Sequence, residues 1–270
     1  KVFPAGTTTY YAAWKSLPEV KVEIESWTYD GNAAGSGSHP VTSEPAATSS
    51  FGAAAYTYFQ KIDNVWVKMP TAPVNAGEYK VAATWKADIE GTYTDFTAEK
   101  EFIISKADLV VSTEGAEKAY DGQPLTNPDT SYTAVNGETV TVKATGSQTE
   151  FGSSNNTYTV AWDGTAKESN YNVKDGTIGV LNVTKADFDY NAQGYTGVYD
   201  GAPHGITVNA PQGAEVTYDV ENSRTDAGTT TVGYTISMGG NYNDVHGTAE
   251  IAISKADLVV STEGAEKAYD

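Results

Sequence analysis

Ser105–Asp121, SKADLVVSTEGAEKAYD, returns without a single change at Ser254–Asp270, a shift of 149 residues. A register that returns in this way is the signature of an array of similar units. Identity so complete exceeds what packing requires, because exposed strand positions tolerate many residues. The two copies are therefore read as duplicated coding sequence. Within the stretch, Leu109-Val110-Val111 has the apolar character of a short strand, and Tyr120-Asp121 runs on into Gly122, an Asp-Gly pair that favours a turn with positive φ.

Three landmarks recur in fixed order on either side of it. The first is the Tyr-Asp-Gly turn, at Tyr29-Asp30-Gly31, Tyr120-Asp121-Gly122 and Tyr199-Asp200-Gly201. The second is a Gly-led turn into a Tyr/Val strand, at Asn75-Ala76-Gly77 and Asp226-Ala227-Gly228, with Phe151-Gly152-Ser153 as an altered version. The third is Asn-Tyr-Asn, at residues 170–172 and 241–243, with Thr92-Tyr93-Thr94 standing in the first unit. Each closing strand ends in Lys-Ala-Asp, at 106, 185 and 255, whereas Lys86-Ala87-Asp88 has no Tyr-Asp-Gly after it and is a decoy.

The landmarks divide the chain into 1–15, the tail of something upstream; modules 16–105, 106–184 and 185–254; and 255–270, the start of a further module. Every module is written in short alternating stretches without helical periodicity. Val20–Glu25 alternates apolar and charged residues, Tyr79, Val81, Ala83 and Trp85 share one face, and so do Val140, Val142 and Ala144. Tyr56–Phe59 and Val65–Lys68, joined through Asp63-Asn64, have the pattern of a hairpin. The Leu258-Val259-Val260 strand of the last segment is expected to lie against the third module or to add to an exposed edge of another molecule.

Composition narrows the function classes. The chain has 270 residues, a net charge of −18 and no cysteine, and Arg224 is its only arginine. Nucleic acids and anionic membrane surfaces are polyanions that select Lys and Arg, so neither is an expected partner. A disulfide framework, a thiolate metal site and a Cys nucleophile all require cysteine. No apolar run is long enough to cross a membrane as a helix, and no direct insertion is expected within 1–270. Targeting signals and an anchor are expected to lie outside the fragment.

Taken together, the landmarks resemble the MBG/YDG-type repeats of bacterial cell-surface, adhesin-like proteins, and Thr7–Trp14 resembles the tail of an internalin-type B repeat (the Listeria–Bacteroides repeat). The resemblance implies an all-β fold of tandem immunoglobulin-like β-sandwiches used as a stalk, with β-grasp-like modules as the alternative. The junction Ile103–Val110 contains neither Gly nor Pro and is too short for a flexible coil. An elongated, monomeric rod is the expectation, a non-catalytic stalk or adhesin segment at the bacterial cell surface, secreted or wall-anchored, which extends a distal domain. The alternative is that the modules themselves bind host glycans or proteins.

Catalytic chemistry has little to stand on. His39, His204 and His246 sit in separate loops without a partnered nucleophile. Among 35 acidic residues, chance carboxylate pairs are guaranteed. Asp200, Asp226, Asn241, Asn243 and Asp244 are loop oxygen donors suited to calcium, though no EF-hand spacing accompanies them. Lys106 and Asn182 are candidates for an internal isopeptide bond, which the third module, with no lysine between Lys185 and Lys255, has no means to form. The Tyr-Asp-Gly tyrosines are expected to pin loops. Tyr56, Tyr58, Phe59 and Trp66 are the densest aromatic cluster, and the face they leave uncovered is the candidate contact surface.

Overall fold

The computed structural model describes residues 19–86 and 94–269. The expectations for 1–15, for the start of the first module at 16, for Ala87-Asp88 and for Thr92-Tyr93 lie outside the described residues. Those residues form two compact units, one made of 19–86, 94–111, 129–143 and 160–176, the other of 112–128, 144–159 and 177–269. The expected module 106–184 thus contributes to both.

In the first unit a five-stranded sheet runs in the order Trp27–Thr28, Phe96–Ser105, Gly77–Trp85, Ala55–Ile62, Val65–Lys68. Its central strand has the expected alternation: Tyr79, Val81, Ala83 and Trp85 are at most 2% exposed. Burying a side chain the size of Val81 or larger stabilises the sheet by about 1.5–3 kcal/mol. Asp63 and Asn64 both have positive φ, so the hairpin closes on a type I′ turn, whose twist matches the flanking strands. A second layer covers the sheet. Lys21–Glu23 pairs antiparallel with Thr42–Glu44, Val22 and Ile24 are buried, and the Trp85 indole donates to Pro45 O at 3.1 Å. The same unit holds Ala107–Val111, parallel to Tyr171–Asp175, and Thr130–Thr133, antiparallel to residues 139–142, where Val140 and Val142 are buried.

In the second unit Tyr195–Val198, Val245–Ser254, Gly228–Ser237 and Glu215–Tyr218 form a four-stranded sheet. Its inner face, Val232, Tyr234, Ile236, Ile251 and Ile253, packs against Ala192 and Val208 of the two-stranded sheet Asn191–Gln193/Thr207–Asn209. A further sheet orders Gly152–Asn155, Val180–Thr184 and Ala116–Ala119. In all three repeats the segment that leads to Tyr-Asp-Gly runs parallel to the repeat's last strand. The described residues are therefore all-β, in sheets that pack face to face as sandwich layers. The described residues hold no α-helix, only the 3-10 turns Val135–Gly137 and Glu168–Asn170, so the β-grasp alternative lacks its helix.

At one point the chain passes between two strands of different sheets, a break that alternation alone does not reveal. Asn156, 1% exposed, separates Gly152–Asn155 from Tyr158–Ala161; its N–H donates to Gly179 O at 2.8 Å and its side-chain amide to Glu114 O at 2.9 Å. Backbones approach closely here, and a Cβ on Gly179 would lie 2.2 Å from the Glu114 carbonyl carbon.

The terminal segment departs from expectation. Leu258, Val259 and Val260 are 88%, 87% and 75% exposed and form no strand, so the segment does not lie against the third repeat. The identical Leu109 and Val111 are buried because Tyr171–Asp175 runs alongside them, and the described residues offer the second copy no such partner.

Gly179→Ala is expected to lower stability by about 1–3 kcal/mol, the usual scale for overpacking, whereas Gly37→Ala, with nothing within 4 Å of its added methyl, is expected to be near neutral. Urea midpoints of the two variants check this.

Candidate functional site

The three Tyr-Asp-Gly turns share one construction. The Tyr N–H donates to the last residue of the repeat's closing strand, Tyr29 to Ser105 O at 2.8 Å, Tyr120 to Thr184 O at 2.9 Å and Tyr199 to Ser254 O at 2.9 Å. The Asp carboxylate accepts the N–H two residues on, from Asn32, Gln123 and Ala202, each at 2.9 Å, and Gly31, Gly122 and Gly201 take positive φ. A nitrogen-bearing side chain completes each turn: His39 on Asp30 at 2.8 Å, Lys118 on Asp121 at 2.6 Å and His204 on Asp200 at 3.0 Å. His39 stacks on Trp27 and His204 on Tyr195, both with ring centroids 4.0 Å apart.

These partners hold the carboxyls below the usual range. Burial works to raise Asp30, but bonds from Asn32 and His39 outweigh it; the Lys118 ammonium lowers Asp121, and the Ala202 N–H, then His204, lower Asp200. Two of the three histidines are thus turn-closing residues, and His246 Nδ1 bonds Thr235 Oγ1 at 2.9 Å.

The other landmarks meet these turns. In the first unit Tyr29, 4% exposed, lies edge-on to Tyr171 of Asn-Tyr-Asn, centroids 5.6 Å apart at 81°. Both hydroxyls donate to the Glu138 carboxylate, Tyr29 at 2.7 Å. Asn170, fully buried, accepts the Ala76 N–H at 2.9 Å and donates to Asn75 Oδ1 at 3.1 Å. The second unit repeats the pattern. Tyr120 lies edge-on to Tyr242 at 5.4 Å and 82°, while Asn241 accepts the Phe151 N–H at 2.8 Å and donates to the Glu150 carboxylate. The altered turn at Phe151-Gly152 therefore keeps its chemistry, because Glu150 supplies the oxygen that Asn75 supplies in the first unit. Burial and Glu138 raise the Tyr29 phenol to about 12, and raise Tyr171 as well.

The aromatic cluster is split by the sheet. Tyr58 and Tyr56 pair with Val81 and Ala83 and point to the core side, where the Tyr56 hydroxyl bonds Ser43 Oγ at 2.9 Å. Phe59 and Trp66 point outward, half-buried, with the Lys80 ammonium 5.2 Å from both ring centroids and Lys61 5.8 Å from Trp66. Lys80 pairs with Glu99 at 2.9 Å and Lys61 with Glu78 at 3.0 Å. Lys61 and Glu78 also line an open cleft of ≈ 510 Å³ with Asp63, Asn64, Lys106 and Ser169. The sequence signal for this face was the period-2 alternation of Phe59 with its neighbours, which already separates it from Tyr58.

Three of the calcium candidates are engaged by protein groups. Asp200 is engaged by His204, Asn241 by the Phe151 turn, and Asn243 donates to Asp187 at 2.8 Å. Among the described residues no group of three or more His, Asp or Glu side chains is placed to hold a metal ion. The Asn182 amide donates to Glu117 at 2.5 Å.

No protein-family model matches the chain, and no curated protein does. Among solved structures it is similar to a SusE-like surface located polysaccharide binding protein from the heparin utilisation locus of Bacteroides thetaiotaomicron, at 10% identity and TM-score 0.20 over 88% of this chain and 54% of that one. The chain thus spans about half the length of that protein. It is also similar to SGBP-B of the Bacteroides ovatus mixed-linkage glucan utilization locus, solved with a mixed-linkage heptasaccharide, at 11% identity and TM-score 0.20 over 89% of this chain and 72% of that one. A third likeness is to the I9-I11 tandem from titin, at 10% identity and TM-score 0.21 over 87% of this chain and 100% of that one. At these scores the likenesses assign no function to the chain.

Two outcomes follow from the first unit's junction. The folded state favours the neutral phenols, so their contribution to stability is complete below pH 10 and is lost as pH rises from 10 towards 12, where unfolded tyrosine ionises first. Tyr29→Phe is expected to shrink that alkaline loss, as read from urea midpoints against pH. Asn170→Ala is expected to cost about 1–3 kcal/mol by leaving the Ala76 N–H without its acceptor, as read by the same unfolding titration at neutral pH.

Proposed function

We propose that the chain is a non-catalytic segment of a bacterial cell-surface protein, of the MBG/YDG type it resembles, and that it contacts polysaccharide on the outward face of its first sheet. The observation that carries this is the placement of Phe59 and Trp66 together on that face, with Lys61, Lys80 and their Glu partners around them. A sugar ring has an apolar C–H face and a polar rim. Aromatic rings take the first; ammonium and carboxylate groups, which keep unused donors and acceptors beyond one ion pair, take the second. The cleft beside Lys61 gives a chain of sugars room to continue past the aromatic pair. A flat, ion-paired face of this kind suits reversible contact, and nothing in it arranges a nucleophile and base for bond cleavage.

A second function, a spacer that extends a distal domain, is favoured by the twice-repeated docking of Asn-Tyr-Asn onto the preceding repeat.

A glycan array followed by titration of the strongest binder separates the two. Trp66→Ala and Phe59→Ala are each expected to weaken binding about tenfold or more, while Tyr218→Ala in the second unit leaves it unchanged. Binding that survives both changes on the face removes the polysaccharide proposal. An array without any signal leaves the spacer.

A further inference from the structure

The third repeat carries a complete copy of the surface that is occupied in the first two, and here it is open. Two residues before the turn glycine stands a side-chain oxygen: Asn75 Oδ1 and Glu150 Oε2 at the occupied junctions, and Asp226 in the third repeat. One residue before it stands a backbone donor. Ala76 and Phe151 give theirs to the incoming Asn, while the Ala227 N–H finds no acceptor among the described residues. Arg224 holds this turn, its Nη2 donating to Ala227 O at 3.1 Å and its Nη1 to Thr230 Oγ1 at 2.8 Å. The tyrosine completes the comparison, since Tyr29 is 4% exposed under Tyr171 whereas Tyr199 is 44% exposed.

We infer that Tyr199, Asp226 and the Ala227 N–H form a docking surface for the Asn-Tyr-Asn turn of a further repeat of this kind, entered through Lys255-Ala256-Asp257. The occupant is defined by the two filled junctions, where one Asn side chain bridges the donor and the oxygen and the adjacent Tyr lies edge-on to the Tyr-Asp-Gly ring. The route is defined as well. Ser105, Thr184 and Ser254 each accept the N–H of the Tyr-Asp-Gly tyrosine, and each is followed at once by Lys-Ala-Asp. Lys-Ala-Asp is in turn the segment that places Asn-Tyr-Asn within its own repeat, through the parallel pairings Ala107↔Tyr171 and Ala186↔Tyr242. Lys255-Ala256-Asp257 thus leaves from the right residue with the right sequence. A second copy of the chain is not the occupant, because its Asn170 and Asn241 turns are already engaged. The inference is independent of polysaccharide binding at Trp66.

The duplicated stretch supplies the test. Because Ser254–Asp270 repeats Ser105–Asp121, appending a copy of residues 122–184 after Asp270 completes a second full repeat in register. Amide hydrogen exchange is compared between the chain of 270 residues and the extended chain. Exchange at Ala227 is expected to slow about tenfold or more on extension, as does exchange along Leu258-Val259-Val260. Changing the appended copy of Asn170 to Ala, or Asp226→Ala in the receiving repeat, is expected to release Ala227 while the Leu258–Val260 strand stays protected. Ala227 exchanging at the same rate in both chains, with or without protection of that strand, overturns the inference.

Discussion

A single asparagine side chain, set against a backbone turn, organises this molecule. Its two functional atoms point at once to a main-chain donor and a side-chain acceptor, so neither partner tolerates displacement of the amide. Asn170 is fully buried, and a buried amide without its bonds is costly. The surrounding pieces keep it satisfied. The Lys-Ala-Asp segment fixes the strand that bears the asparagine, the tyrosine beside it closes the contact on the apolar side, and the Tyr-Asp-Gly turn is stiffened by its own carboxylate, so that the receiving ring is already in place. Four short motifs that look unrelated along the chain are parts of one contact.

Much of the fold was legible in the sequence because strands announce themselves through period-2 alternation. Tyr79, Val81, Ala83 and Trp85 needed no tertiary information, nor did the Asp63-Asn64 hairpin. What was not legible depends on pairing between distant segments. Asn156 follows Ser153, Ser154 and Asn155 as one more polar residue, and only the approach of Glu114 and Gly179 makes it a buried link between strands of different sheets. Phe151-Gly152 looked like a departure from its counterparts because Glu150 lies one residue outside the obvious motif. The aromatic cluster was visible as a cluster, but its division between the two sides of the sheet matters more than its density.

The duplicated stretch is an internal control on what local sequence decides. Residues 106–120 hold two strands, Ala107–Val111 and Ala116–Ala119, with Leu109 and Val111 buried, whereas the identical residues 255–269 form no strand. Propensity is identical in the two copies, so the difference is due wholly to the partners, Tyr171–Asp175 and Val180–Thr184, that the first copy meets. Strand identity in this chain is a property of pairs of segments.

The contact between successive repeats asks very little of either side: an oxygen-bearing side chain, a peptide N–H that any residue except proline provides, and one aromatic ring. Asn, Glu and Asp all occur at the first position, and Ala and Phe at the second. A joint with so few requirements does not encode which repeat must follow which. Any repeat that keeps these three features presents the same receiving surface, whatever the rest of its sequence.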